Sequence, residues 1–290
     1  MLFQVYPVLF RIGSILIPAY GAMAALGVVF ALLLAQRTAR IARLNAGHLW
    51  NLCVLALFAA LVASRLLLVV ANWSDVVRHP SWILSLGMIH HPLLGAVGAL
   101  AGAACGALYA RAAKLPILAA ADALAPPLAL GLAFEQWGAL LAGSGFGVDA
   151  GKGLPWAVTY TNPFAELWGG APLGVPLQPV QAYAALGFLA LFALLLLWLP
   201  RRRQQGDVAG LWFMGTGVVV FVTEIWRNRI GRGSFFRGAL DGPQIAAIAL
   251  VLAGGFLLRE RAFAHPQQAG PAAAPASAAG QAQPSAAEHG

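Results

Sequence analysis

Seven continuous apolar stretches divide this chain, more than one soluble core can enclose. They run over about residues 15–34, 49–71, 92–110, 118–141, 180–199, 210–226 and 242–258. Each approaches the roughly 20 residues that carry an α-helix across a bilayer core. The runs are uninterrupted rather than alternating, which argues against a transmembrane β-barrel. Composition agrees, with 60% of residues hydrophobic and 10% charged, against roughly 45–50% and 25% in ordinary soluble domains. The expected fold is an all-α integral membrane protein with about seven transmembrane helices.

Charge orients these spans. Arg37, Arg40 and Arg43 follow the first, Arg111 and Lys114 the third, Arg201, Arg202 and Arg203 the fifth, and Arg259 and Arg261 the seventh. Those odd-numbered connections hold ten of the eighteen basic residues, and basic loops stay cytoplasmic. The N-terminus is then expected outside and the C-terminus in the cytoplasm. The first span exceeds the apolar core of a secretory signal and has no charged segment before it, so it is expected to be retained. A basic chain suggests nucleic acid, but here the cations flank helix ends, so anionic lipid head groups are the expected partner and nucleic acid is not. Residues 1–263 are expected to form one polytopic membrane domain. Residues 264–290, rich in Ala, Pro and Gln, read as a disordered cytoplasmic tail.

Against this orientation, Arg227, Arg229, Arg232 and Arg237 fall within eleven residues on the non-cytoplasmic side. The simplest reason for such a cluster is an anionic ligand met at that face. Glu224 precedes Arg227 by three residues, the spacing that stacks two side chains on one helix face. It reads either as a local salt bridge or as a carboxylate holding Arg227 for a phosphate, to which guanidinium donates two parallel hydrogen bonds.

Other polar groups lie inside apolar segments, where a charge is expensive. Arg65 and Asp122 sit toward helix ends, from which a side chain reaches the interface. Glu135 is deeper, followed by Gln136. A carboxyl in apolar surroundings serves as acid or base near neutrality, or simply as a buried pair. His90 and His91 precede the third span. Their spacing does not suit a metal site, and none is expected; an imidazole there suits a general base. Tyr20, Gln181, Tyr183 and Gln244 are polar residues gathered toward the outer face, where together they would line a wet cavity. Gly98, Gly102 and Gly106 let two helices approach closely. Pro126-Pro127 reads as a kink, beside either a cavity or a packed neighbour. Cys53 and Cys105 read as buried thiols.

Taken in order, these residues resemble the prolipoprotein diacylglyceryl transferases of bacterial inner membranes. The resemblance covers about residues 12–258. It rests on Tyr20-Gly21, Arg65, Gly87-Met88 with His91, Asp122-Ala-Leu-Ala-Pro126, Gly138, Gly143, Phe146-Gly147, Pro155-Trp156-Ala157, Pro179-Val-Gln181-Ala-Tyr183, Gly210-Leu211, Glu224-Ile-Trp-Arg227 and Gln244. It implies a multi-pass enzyme of the bacterial inner (plasma) membrane, without cofactor. That enzyme moves a diacylglyceryl group from phosphatidylglycerol, or a similar anionic phospholipid, to the cysteine thiol of a prolipoprotein signal peptide. His91 or Glu135 would accept the proton and Arg227 would stabilise charge. Tyr20, Arg65, Gln136, Gly143, Gln181, Tyr183, Glu224, Arg229 and Gln244 would contact substrate. The family's Gly-Arg signature in the fourth span is here Glu135-Gln136, and the positions of a family tyrosine and arginine in the sixth are Thr216 and Val220. The alternative these departures favour is a relative that binds lipid or assists assembly without catalysing transfer.

Overall fold

The computed structural model describes residues 3–4, 6–12, 15–78, 92–228, 234–235 and 239–262. His90, His91, Arg229, Arg232, Arg237 and the expected tail lie outside them. Seven helices among the described residues are long and apolar enough to cross a membrane. They are α1 (Ala19–Ile41), α2 (Ala46–Ala71), α4 (Pro92–Ala112), α5 (Ile117–Ala142), α7 (Val180–Trp198), α8 (Asp207–Glu224) and α9 (Gly242–Ala262). Two short helices, α3 (Trp73–Arg78) and α6 (Pro163–Gly169), lie in connections.

The first span begins later than expected. Ile15–Pro18 is a strand paired antiparallel with Val8–Ile12, and helix starts only at Ala19. Alternating β-branched residues favour extended backbone, and Pro18 fits a helix edge better than a helix interior. Residues 8–12 therefore contribute the first strand of a hairpin that precedes α1.

Packing centres on α5, which contacts α1, α7 and α8. Half of its membrane window is buried inside the protein, against 6% for α2. The backbone remains helical through Pro126 and Pro127, both buried. On α4, the glycine stripe lies against α2: a Cβ on Gly102 would come within 2.8 Å of the Ala56 carbonyl oxygen. This is the close approach expected of small residues at four-residue spacing.

Asp122 does not reach for the interface; it is fully buried. Its carboxylate accepts from Arg202 Nη1 at 2.9 Å and from the backbone N–H groups of Gly206 at 2.6 Å and Ala209 at 2.9 Å. Arg202 Nη2 also donates to the Ala42 carbonyl at 3.1 Å. One ion pair thus joins the end of α1, the start of α5 and the turn into α8. It satisfies N–H groups that the start of α8 leaves open, and pairing is what makes a buried charge tolerable.

At the opposite end, residues 143–179 form a folded connection. Val158–Thr159 pairs parallel with Phe3–Gln4 and antiparallel with Pro176–Leu177. Tyr160 is buried beneath it and donates to the Leu140 carbonyl at 2.7 Å. Burial raises its phenol pKa, which keeps it protonated as that donor.

Candidate functional site

Five of the residues expected at a site converge at the end of the bundle that carries this connection. Glu135 lies seven residues before the end of α5, about 10 Å below its terminus at 1.5 Å per residue. Tyr20, in the first turn of α1, donates to Glu135 Oε1 at 3.3 Å. Gln136 Nε2 donates to Glu135 Oε2, while Gln136 Oε1 accepts from Arg227 Nη2 at 3.2 Å. Arg227 Nε in turn stands 3.0 Å from Glu224 Oε1 as an ion pair. The chain of contacts runs Tyr20, Glu135, Gln136, Arg227, Glu224 and draws on α1, α5 and α8.

Arg227 is not on the sixth transmembrane helix, as its spacing from Glu224 suggested. That helix ends at Glu224. The N–H groups of Ile225, Trp226 and Arg227 then bond three residues back, tightening the chain into a turn. Arg227 bridges Gly147 in extended backbone. Val148 N–H donates to the Trp226 carbonyl at 2.8 Å, and Asn228 N–H donates to the Phe146 carbonyl at 3.1 Å. Gly147 is needed there because a Cβ would come within 2.4 Å of the Gln178 carbonyl oxygen. The connection after α5 therefore holds the backbone whose guanidinium reaches into the bundle. Arg227 is 9% exposed and Glu224 3%, so their attraction is little screened.

The remaining expected site residues occupy other places. Gln181 is buried and donates to the Ser144 carbonyl at 2.9 Å. Gly143 ends α5 in the left-handed region, φ 76°. Tyr183 accepts from Trp156 Nε1 at 2.7 Å and donates to Gln178 Oε1 at 3.1 Å. These three organise the connection above the cluster. Gln244 is engaged with Asp241 at the start of α9. Arg65 is exposed on α2, in a shallow groove with Leu61, Val62, Leu66 and Val69.

Two features went unread in the sequence. The Asp122–Arg202 pair spans eighty positions, and no local spacing announces it. Asp241, by contrast, stands three residues before Gln244 ahead of an apolar run, the signature of a capping box.

Chemically, the cluster offers a carboxyl in apolar surroundings and a guanidinium fixed by a second carboxylate. That combination suits proton transfer beside a developing phosphate charge. The sequence profile of the prolipoprotein diacylglyceryl transferase family matches residues 7–259. The phosphatidylglycerol–prolipoprotein diacylglyceryl transferase of Clostridium tetani is 30% identical over 227 residues, covering 77% of this chain and 85% of that protein. A second such transferase, from Clostridium perfringens, is 30% identical over 255 residues, covering 87% and 93%. That of Photorhabdus laumondii is 31% identical over 270 residues, covering 86% and 89%.

Proposed function

The chain belongs to the prolipoprotein diacylglyceryl transferase family, and from that premise we propose that the Tyr20–Glu135–Gln136–Arg227–Glu224 cluster is where its reaction takes place. The protein transfers the diacylglyceryl group of phosphatidylglycerol to the cysteine thiol of a prolipoprotein. The observation that carries the site assignment is the buried Arg227, held at once by Glu224 and Gln136.

In this reading the thiol loses its proton and the sulfur attacks the glyceryl carbon that bears the phosphate ester. A carbon–sulfur bond forms and the carbon–oxygen bond breaks. Glycerol phosphate leaves with the bonding pair and one more negative charge. Arg227 stabilises that charge, because a preorganised cation acts most strongly where water is excluded. Glu224 fixes the guanidinium plane. The proton goes to Glu135, whose oxygens already accept from Tyr20 and Gln136, or to His91. Gly143, Gln181 and Tyr183 shape the outer wall, Gln244 supports it through α9, and Arg65 and Arg229 attract the lipid head group.

The protein sits in the bacterial inner membrane with its N-terminus outside. The basic residues that set this orientation lie in the last turns of α1 and α4 or just past α1, α4 and α7, and Arg202 contacts the Ala42 carbonyl at that end. The cluster occupies the opposite, outer end, where a prolipoprotein signal peptide presents its thiol. Residues 264–290 form a cytoplasmic tail.

The test is complementation of a strain depleted of its own transferase, scored by the mass of a lipoprotein. The intact chain is expected to restore the diacylglyceryl mass shift. Loss of a general base costs on the order of 10²- to 10⁴-fold in rate, so comparing Glu135→Gln with His91→Ala separates the two candidates. Full activity of both Glu135→Gln and Arg227→Gln would remove the cluster from the reaction.

A further inference from the structure

Asp241 precedes α9 and is 1% exposed. Its Oδ1 accepts from the Gln244 N–H at 2.9 Å, and Gln244 Oε1 accepts from the Asp241 N–H at 3.1 Å. This is a reciprocal helix cap. The second oxygen, Oδ2, is buried and has no hydrogen-bond partner among the described residues. A cap needs only one oxygen, and asparagine or serine serves as well as aspartate. A second carboxylate oxygen out of water is costly until a donor meets it. Capping therefore does not account for Oδ2.

The register of the last two helices places Asp241 along the bundle. A Cβ on Gly217 would come within 2.5 Å of the Ala247 carbonyl oxygen, and one on Gly254 within 2.6 Å of the Gly210 carbonyl oxygen. Both contacts give the same antiparallel register of α8 against α9. Six residues up α8 from Gly217 is Thr223, and six back from Ala247 is Asp241. Asp241 thus stands level with Thr223, one residue from Glu224, the partner of Arg227.

We propose, resting on the site assignment above, that Asp241 Oδ2 accepts a hydrogen bond from a hydroxyl of the phosphatidylglycerol head group and selects for a hydroxyl-bearing lipid. A carboxylate repels a phosphate, so the phosphate lies toward Arg227. The terminal glycerol is the neutral, donor-bearing part of the same head group, and it lies toward α9. No bond to this glycerol changes in the reaction, so the contact persists until glycerol phosphate departs. A buried polar group that expects a substrate hydroxyl discriminates strongly against an analogue that lacks it.

The experiment uses the full chain in lipid nanodiscs and a peptide bearing the prolipoprotein cysteine. Phosphatidylglycerol competes with phosphatidylethanol, which has the same phosphate and acyl chains but no hydroxyl. The intact protein is expected to prefer phosphatidylglycerol by on the order of 10- to 100-fold in kcat/KM. Asp241→Asn keeps an oxygen for the cap and turns the open acceptor into a donor. Asp241→Ser keeps the cap and removes the position altogether. Asp241→Ser is expected to lower the preference to about threefold or less, mainly through a higher KM for phosphatidylglycerol, whereas Asp241→Asn, whose amide can donate to the hydroxyl oxygen, is expected to fall between that variant and the intact protein. A wild-type protein without preference, or an Asp241→Ser variant that keeps the wild-type ratio, overturns the assignment. So does a variant that lowers only thermal stability, since that is the signature of a cap alone. Arg227→Gln runs in parallel. If it leaves transfer intact, the site assignment is what has failed; if it abolishes transfer while the ratio persists in Asp241→Ser, only the role of Asp241 has.

Discussion

Arg227→Gln separates the structural share of the buried ion pair from its share in the reaction. The substitution removes the guanidinium that stands 3.0 Å from Glu224, which is 3% exposed. Breaking a buried pair by removing one member costs about 3–5 kcal/mol, most of it the stranded charge. On the proposed site assignment the same change also removes the cation beside the leaving phosphate, and loss of one such contact costs about 2.7–4 kcal/mol, or 10²- to 10³-fold in turnover. The double variant Glu224→Gln/Arg227→Gln strands no charge. It is expected to unfold within about 1–2 kcal/mol of wild type while its turnover stays about 10²-fold down. Unfolding of the purified protein in detergent gives the first quantity, and diacylglyceryl transfer to a thiol peptide gives the second. Recovery of turnover to within about threefold of wild type in the double variant would refute the reasoning, because the loss in the single variant would then be structural.

Three further outcomes follow from the geometry. Asp122→Ala, which leaves Arg202 and the Gly206 and Ala209 N–H groups without their acceptor, is expected to cost about 3–5 kcal/mol in chemical unfolding, with Asp122→Asn milder. Gly102→Leu, which drives a side chain into the Ala56 carbonyl, is expected to destabilise by about 1–3 kcal/mol. Gly95→Leu, where a Cβ would meet nothing within 4 Å, serves as its near-neutral control in the same measurement. In a protein freed of Cys53 and Cys105, a cysteine at the exposed Leu167 should react with an impermeant maleimide in intact cells, whereas one at the exposed Gln205 should react only after permeabilisation. The reverse pattern would invert the orientation and place the cluster at the cytoplasmic side.

Much of the architecture was legible because hydropathy acts locally. A lipid-facing backbone must satisfy its own hydrogen bonds, so a long apolar run has little choice but helix. The expected spans and the observed helices therefore agree to within a few residues over most of the chain. The exception is instructive: residues 15–18 are apolar enough to join α1, but they pair instead with Val8–Ile12. Hydropathy does not distinguish these two conformations; pairing does. The glycine stripe on α4 was read correctly for a similar reason, since four-residue spacing defines a helix face without reference to the partner helix.

The candidate site was legible in its ingredients and illegible in its assembly. Glu135, Gln136, Glu224 and Arg227 stood out as polar groups where polarity is costly, and three-residue spacing did bring Glu224 and Arg227 together. Sequence placed Arg227 on the helix; the fold moved it onto an extended bridge with Gly147, eighty positions away. Gln244 read as a cavity residue but is engaged in a helix cap, and Asp122 read as an interfacial residue but closes the far end of the bundle. Hydropathy and charge, which act over a turn or two of chain, determined that this protein is a membrane bundle and which residues were too polar to be there by default. Which of those residues meet, and which oxygen is left open, depended on helix register and loop pairing. These are set by contacts between segments far apart in the chain, so tertiary structure alone decided them.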